Sequence, residues 1–262
     1  MNQAIEFTSD ITVRLIEKAG GDHLVVAAAK VSTSGEEALQ FTDPAKAEDS
    51  YGLIRYLMKH RHGTPFEHSY LTLFVHAPIF VWREWHRHRI GFSYNEESGR
   101  YKTLDPVFYV PPRDRPMIKV VGWKPGRPKF LTLEEKVISK RPDWAGESAR
   151  IMADGKYAEI LEDMKKGYAE EYERYLRQLG RDLDSGLARD NLPVGIYSSC
   201  WVTCNPRSLM AFLSLRTHEP TAQAVSYPLY EIEVAARQVE QIFAEHWPLT
   251  YRAFLECGRV AP

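Results

Sequence analysis

The sequence predicts an α+β fold, in which long helices pack on a small, mostly antiparallel sheet. Three observations support this: amphipathic helical segments dominate the chain, one segment has a clear strand pattern, and a second possible strand lies near the N-terminus. The chain has 262 residues, 44% of them hydrophobic, which is enough to bury a full core. We expect a single domain over residues 1–262, with a variable insertion around residues 111–156.

The predicted strands lie in the first third of the chain. Residues 12–16 alternate apolar and polar side chains, which favours a strand, whereas residues 24–30 fit a short helix or a strand equally well. A helix is predicted over residues 44–60, because Tyr51, Ile54, Leu57 and Met58 would then lie on one face of it. The run YLTLFVH, residues 70–76, is the clearest strand pattern in the sequence.

A helix is predicted directly after this strand. Pro78 suits a first helical turn, and IFVWREWHRHR can continue as a helix that ends in Arg87-His88-Arg89. The following segment, SYNEESGR, is expected to form a loop.

Helical patterns dominate the rest of the chain. Residues 157–179 form a long amphipathic pattern that ends at Gly180, a candidate C-cap. Asn205 and Pro206 suit the N-cap and first position of another helix, and residues 229–246 predict a last long one. The Pro- and Lys-rich stretch at 111–142 is expected to be a long irregular excursion.

Composition limits the function classes. The 34 Lys and Arg residues balance 35 Asp and Glu residues, and a net charge of -1 disfavours a general nucleic-acid binder. The 3 cysteines are too few for a disulfide framework. The N-terminus has no secretion pattern and no window is long and apolar enough for a membrane span, so we expect a cytoplasmic protein that binds no membrane.

Residues 60–101 carry the densest polar chemistry. Several arginines converge there, and the planar guanidinium suits bidentate recognition of a phosphorylated ligand. One alternative is that Arg87-His88-Arg89 is a solvated helix end. A metal site is another, but the paired histidines are spaced by two rather than four residues, and we predict no metal.

Arg87-His88-Arg89, followed after a short gap by Ser98, resembles the signature of the flavin-dependent thymidylate synthases. Further segments resemble that family in the same order, at residues 56–60, 64–68, 77–81, 188–193 and 205–216. The resemblance spans most of residues 51–101 and 187–243, whereas residues 105–186 are not covered in detail.

The sequence departs from the usual family pattern at three places. The eight residues between Arg89 and Ser98 are one more than usual, which is expected to reshape the turn near Gly91. Glu84 stands where a glutamine is common. The stretch after Arg216 is longer than usual, and His218 is a candidate there for contact with the flavin.

The resemblance implies that dUMP becomes dTMP, with methylenetetrahydrofolate as carbon donor and NADPH-reduced FAD as hydride source. The residues it assigns to dUMP are Glu84, Arg89, Glu96, Ser98, Arg100, Arg189 and Arg216. Those assigned to FAD are His62, Thr64, Arg87, His88, Arg89 and Asn205. Arg216 is expected to be catalytic, as a fixed cation that stabilises charge on the pyrimidine carbonyl; otherwise it is an ordinary arginine at a helix C-terminus.

No enzyme nucleophile is expected. Cys200 and Cys204 are spaced as an i,i+4 pair, but buried cysteines mostly act as small hydrophobes. Ser98 has no evident base with an orienting partner and is expected to bind phosphate.

The resemblance also implies a homotetramer whose active sites are shared between subunits. Tyr168, Tyr172 and Tyr175 are compatible with such packing, or they fill the core of one chain. Two rival functions stay open: a phosphate- or RNA-binding module using the basic residues of 111–142, Arg113, Arg115, Lys119, Lys124, Arg127 and Lys129, and a histidine metallohydrolase.

Overall fold

The computed structural model describes residues 4–46, 48–120 and 129–262 of an α+β protein, which confirms the predicted fold class. Its strands are β1 (Glu6–Thr8), β2 (Thr12–Ala19), β3 (Tyr70–Pro78), β4 (Phe92–Glu96), β5 (Val107–Tyr109), β6 (Ile118–Lys119), β7 (Phe130–Leu131) and β8 (Tyr197–Cys204). Its helices are α1 (Asp22–Ser34), α2 (Tyr51–Lys59), α3 (Ile79–Trp85), α4 (Leu133–Lys140), α5 (Glu147–Leu179), α6 (Ser185–Ala188), α7 (Pro206–Arg216), α8 (Tyr230–His246) and α9 (Pro248–Glu256).

The chain divides into two compact units, which are described separately. Unit 1 contains the described residues of Met1–Asp10, Pro78–Phe80 and Glu97–Ser198. Unit 2 contains those of Ile11–Ala77, Val81–Glu96 and Ser199–Pro262. The prediction of a single domain stays a prediction.

Unit 2 is built on a four-stranded sheet in the order β2-β3-β8-β4. The strands β2 and β3 are antiparallel, as are β4 and β8. Between the two central strands, the hydroxyl groups of Thr72 and Thr203 lie 2.9 Å apart, and the ring of His76 lies 3.0 Å from the hydroxyl of Ser199. Because the numbers rise on one strand as they fall on the other, this pair is antiparallel as well.

Helices bury their apolar faces in the core of unit 2. The buried side chains of α8 recur at helical spacing, namely Ile232, Ala235, Ala236, Val239 and Phe243.

Asp22 at the start of α1 accepts hydrogen bonds from the backbone N–H groups of Leu249 and Thr250, at 2.8 and 2.9 Å. It also accepts one from the Thr250 hydroxyl, so a distant carboxylate caps the first turn of α9.

Unit 1 has a core of its own between α5 and β5, with Leu104, Phe108, Tyr172, Tyr175, Ala188 and Ile196 buried in it. The Tyr172 hydroxyl donates to the Leu104 carbonyl at 2.9 Å, and the Tyr168 ring stacks on Phe108. The three tyrosines therefore fill the core of one chain, which is the second of the two predicted interpretations.

Several predicted elements are confirmed. The strands at residues 12–16 and 70–76 are observed, and the ambiguous segment 24–30 is helical in α1. Asn205 caps α7 by accepting from the Ser208 N–H at 2.8 Å, Gly180 is the C-cap of α5, and α8 matches the last long helix.

Other predictions need correction. In the segment 44–60, only α2 is α-helical, and short 3-10 turns precede it. The helix predicted from residue 157 begins ten residues earlier, at Glu147. The stretch 111–142 is not wholly irregular, because β6 pairs with β7 and a capping box at Thr132 starts α4. Lys124 and Arg127 of the predicted basic segment lie outside the described residues.

The prediction for the arginine signature is also wrong, because α3 ends at Trp85, before Arg87-His88-Arg89. The segment after it, expected to be a loop, forms β4 over Phe92–Glu96. Within the described ranges, no helix combines the length and apolar character needed to span a bilayer.

Candidate functional site

Side chains from elsewhere in unit 2 end the helix α3 and shape the turn that follows it. The Glu84 carbonyl accepts a hydrogen bond from Arg216 Nη2 at 3.1 Å, and the Tyr94 hydroxyl lies within hydrogen-bond distance of the carbonyls of Trp85 (3.3 Å) and His88 (2.6 Å). These partners satisfy carbonyls that a continuing helix would pair internally. The arginine signature therefore lies on an irregular turn.

Arg216 is held by two residues of this region. Its Nη1 atom lies 2.6 Å from Glu84 Oε2, and its Nε–H donates to His88 Nε2 at 3.0 Å. The Arg216 side chain is 16% exposed. With the bond to the Glu84 carbonyl, three of the five guanidinium N–H donors are engaged by these two residues, and two remain for a ligand.

The environment fixes the protonation of this cluster. Burial and the neighbouring Arg216 charge lower the pKa of His88 to about 4, so the ring is neutral at pH 7. A neutral ring that accepts at Nε2 carries its proton on Nδ1. Burial also lowers the pKa of Arg216, against the raising effect of Glu84, but the guanidinium stays charged at pH 7.

A cleft of about 600 Å³ opens beside the cluster, lined by Arg87, His88, Arg89, Ile90, Phe92, Ser208 and Ala211. It combines two cationic side chains, an aromatic ring and residues from the first turns of α7. Such a mixture of positive charge and apolar wall suits a ligand with both a phosphate group and a ring.

Gly91 brings the turn against α7. Its φ is +68°, and a Cβ atom there would overlap Ser208 Oγ and lie 2.9 Å from Asn205 Nδ2. Only glycine fits both the backbone conformation and the space. The gap of eight residues after the signature is therefore accommodated by a glycine turn that packs on the α7 N-terminus.

The antiparallel partner of β4 carries two of the cysteines. Glu96 lies opposite Cys200, and Phe92 lies opposite Cys204. Both thiols are buried, and burial raises the pKa of Cys200 to about 12 and that of Cys204 well above its usual range. Glu96 Oε2 also lies 3.9 Å from His86 Nε2.

Two predicted flavin residues, His62 and Thr64, lie near the end of α2. Both are exposed, and Thr64 begins a 3-10 turn that ends at Glu67. Asn205, also assigned to FAD, uses its side-chain oxygen to cap α7. Its amide nitrogen is not needed for the cap.

In unit 1, the segment that carries Ser98 and Arg100 lies against α6 and Arg189. A Cβ atom at Gly99 would lie 3.2 Å from Arg189 Cδ, and one at Gly186 would lie 3.7 Å from Arg100 Cγ. The Ser98 hydroxyl accepts from the Arg100 N–H at 3.3 Å. Neither arginine forms an ion pair within the described part of the chain, so both are available to an anion.

Sequence reasoning missed three features of the cleft. Phe92, Ser208 and Ala211 line it without belonging to the signature. His218 does not line it, because its ring contacts the Ser226 carbonyl at 2.8 Å and packs near Tyr227. Among the residues that the structure describes, no three His, Cys, Asp or Glu side chains are grouped to hold a metal ion.

The chain belongs to a known class of proteins. The model of the thymidylate synthase complementing protein family matches residues 14–249, and the chain is a member of that family. This confirms the resemblance found in the sequence.

Similar proteins cover nearly the whole chain. A flavin-dependent thymidylate synthase from Streptomyces avermitilis is 45% identical over 259 residues, which are 98% of this chain and 95% of that protein. Another from Tropheryma whipplei is 44% identical over 256 residues, or 98% and 97% of the two chains. Among solved structures, the UMP/dUMP methylase PolB from Streptomyces cacaoi bound with 5-Br dUMP has a TM-score of 0.83 and 40% identity, covering 98% of this chain and 100% of that one.

Proposed function

We propose that this protein is a flavin-dependent thymidylate synthase that methylates dUMP to dTMP. Methylenetetrahydrofolate donates the carbon, NADPH reduces the enzyme-bound FAD, and no enzyme cysteine attacks the pyrimidine. Family membership and the similarity to a dUMP-binding methylase support the reaction. The carbon donor, the reductant and the absence of a nucleophile are proposed from the resemblance and from the site.

The observation that carries the proposal is the Glu84–Arg216–His88 cluster. Glu84 and neutral His88 orient a half-buried cation whose two remaining donors can reach a ligand. A cation fixed in advance stabilises negative charge developing on a uracil carbonyl without reorganising. Arg216 is therefore proposed as the catalytic residue, and Glu84 as a residue that binds near the base and holds Arg216.

The cleft fits FAD. Arg87 and Arg89 are exposed, and among the described residues neither is engaged in an ion pair, which suits the diphosphate, while Phe92 and Ala211 give an apolar wall for a ring. We propose that His62, Thr64, His88 and Asn205 complete the set that holds the cofactor. When bound and reduced, FAD supplies the hydride. The chain binds and orients it and holds His88 neutral.

The phosphate of dUMP is assigned to two arginines that form no ion pair with any residue the structure describes. Arg100 and Arg189, together with the Ser98 hydroxyl, offer several charge-assisted donors to a dianion. Arg89 and Glu96 are proposed as further dUMP-binding residues from the resemblance. The Ser98 oxygen accepts from the Arg100 backbone N–H, so its own O–H is proposed as the donor to the phosphate rather than as a nucleophile.

The state of the cysteines supports a mechanism without a thiolate. A thiol whose pKa is raised to about 12 is almost entirely protonated at pH 7, and only the thiolate is a strong nucleophile. Cys200 and Cys204 are also buried among core side chains. A homotetramer with shared active sites, a cytoplasmic location and a variable insertion around 111–156 stay proposals from the sequence.

The test is an absorbance spectrum of the purified protein before and after added FAD, followed by anaerobic NADPH with and without dUMP. Flavin bands that bleach with NADPH, and dTMP that forms only when methylenetetrahydrofolate is also present, are the expected results. UMP is assayed in parallel, because the solved relative is a UMP/dUMP methylase. A colourless protein that recruits no FAD would refute the proposal. Activity lost with a chelator, or strongly salt-dependent RNA binding, would instead support one of the two rival functions.

A further inference from the structure

A buried ion pair in unit 2 is connected to the residue that follows Arg216. Arg259 Nη1 lies 2.6 Å from Glu240 Oε1, and the two side chains are 5% and 7% exposed. Glu240 also accepts from Arg237 Nη1 at 3.0 Å and from the Tyr251 hydroxyl at 3.1 Å. Burying two charges is unfavourable unless their geometry and hydrogen bonds are well satisfied, so such a pair invites a functional explanation.

Arg259 is held firmly against α9. Its backbone N–H donates to the Phe254 carbonyl at 2.8 Å, and its φ is +58°, directly after Gly258 at +73°. Its guanidinium carbon lies 5.1 Å from the centre of the Phe254 ring. Contacts with α8 and α9 therefore hold this side chain in place.

Arg259 also forms hydrogen bonds with residues at the end of α7. Its Nη2 atom donates to the Thr217 hydroxyl at 2.8 Å, and that hydroxyl donates to the Leu213 carbonyl at 2.6 Å. The Ser214 hydroxyl donates to the Arg259 carbonyl at 2.6 Å. Two contacts therefore clamp residues on either side of Arg216.

These contacts lie where the helix α7 ends and extended backbone begins. Thr217 has an extended backbone, with φ -122° and ψ 137°, and it is the residue at which α7 ends. The position of this end sets where the Arg216 guanidinium meets Glu84 and His88. Arg259 is not among the residues that line the cleft.

We propose that Arg259 is a positioning residue for Arg216. Anchored by Glu240, it fixes the end of α7 through Thr217 so that the Arg216 guanidinium is already oriented when dUMP binds. This inference rests on the proposed function, because it takes Arg216 to contact the nucleotide. It assigns no ligand contact to Arg259 itself.

The test is a double-mutant cycle on dUMP binding by the FAD-loaded protein, with Arg259→Gln, Arg216→Gln and their combination. A residue that acts through Arg216 loses its effect once Arg216 is gone. Arg259→Gln is expected to raise the Kd for dUMP about tenfold in the parent protein and less than about twofold in the Arg216→Gln background. An equal factor in both backgrounds would mean a role independent of Arg216 and would overturn the proposal.

Because Arg259→Gln removes the buried cation that pairs with Glu240, a second variant removes only the hydrogen bond from the Arg259 side chain to Thr217. Thr217→Val keeps the buried ion pair and the side-chain shape, and is expected to raise the Kd for dUMP while the Kd for FAD stays unchanged. An unchanged Kd for dUMP would also overturn the proposal. Arg252→Gln is the matched control, since Arg252 is 62% exposed and contacts Glu256 and the Tyr51 ring rather than α7.

The failure of this inference is distinguishable from that of the proposed function. If the parent protein binds neither FAD nor dUMP, both are refuted. If it binds dUMP and forms dTMP but the cycle shows independent effects, only the role of Arg259 is refuted.

Discussion

The burial of His88 beside the charge of Arg216 makes the stability of unit 2 depend on pH. With a pKa of about 4 in the folded protein and 6.5 in the unfolded chain, His88 takes up a proton more readily when unfolded. The stabilisation is complete above the unfolded pKa and is lost as pH falls from about 6.5 towards 4. The ceiling is about 3 kcal/mol, because each pKa unit corresponds to about 1.36 kcal/mol. Since the ring is only partly buried, solvent screening reduces the expected loss to about 1–2 kcal/mol.

The measurement is the free energy of unfolding in urea at pH 7.0 and pH 4.5, for the parent protein and for His88→Gln. Glutamine keeps an oxygen that can accept from Arg216 but does not titrate, so subtracting the two proteins removes the contribution of every other group. The parent is expected to lose about 1–2 kcal/mol more than the variant between the two pH values. A difference that does not change with pH, or a pKa near 6.5 for His88 by NMR, would refute the reasoning.

Three other predictions concern single features. Asp22→Ala removes the buried acceptor for three donors at the start of α9, so urea unfolding should show a loss of about 2–3 kcal/mol, and a loss under about 1 kcal/mol would contradict the capping role. Replacing Cys200 and Cys204 with Ala should leave the rate of dTMP formation within about threefold of the parent rate, since neither is a thiolate at pH 7; loss of the chemical step with flavin still bound would disprove this. Arg100→Ala should raise the KM for dUMP about tenfold or more without weakening FAD, whereas Arg174→Ala, an exposed control, should not; an unaltered KM would remove Arg100 from the phosphate site.

The sequence predicts the chemistry of the site better than its backbone. Arg87, His88 and Arg216 are recognisable as residue types in a fixed order, and the structure brings His88 and Arg216 together. The end of α3 could not be predicted, because the side chains that satisfy its carbonyls come from Tyr94 and from Arg216, which is more than a hundred residues away. The residue types of the signature do not themselves end a helix, so where α3 ends depends on these side-chain contacts.

The strand β4 shows the same limit. Its short pattern, with Tyr94 facing inwards and Asn95 outwards, is weak evidence for a strand unless its partner β8 is known. Gly91 is the local signal, since the extra residue predicts a reshaped turn there but not the conformation of that turn. A glycine at an insertion point predicts either a left-handed turn or a close backbone approach, and here both are present.

The order of strands in unit 2 has a consequence for synthesis of the chain. The central strand β8 lies between β3 and β4, although β4 ends at Glu96 and β8 begins only at Tyr197. At a translation rate of about 5–20 residues per second, β8 is synthesised on the order of 5–20 seconds after β4. Until then β3 and β4 lack the strand that lies between them. During that time β2 and β3 can pair early, but one edge of β3 presents open backbone groups to other chains. The arginine signature is thus synthesised early and acquires its partners on β8 and α7 late, and during this interval the open edge of β3 can associate with other chains.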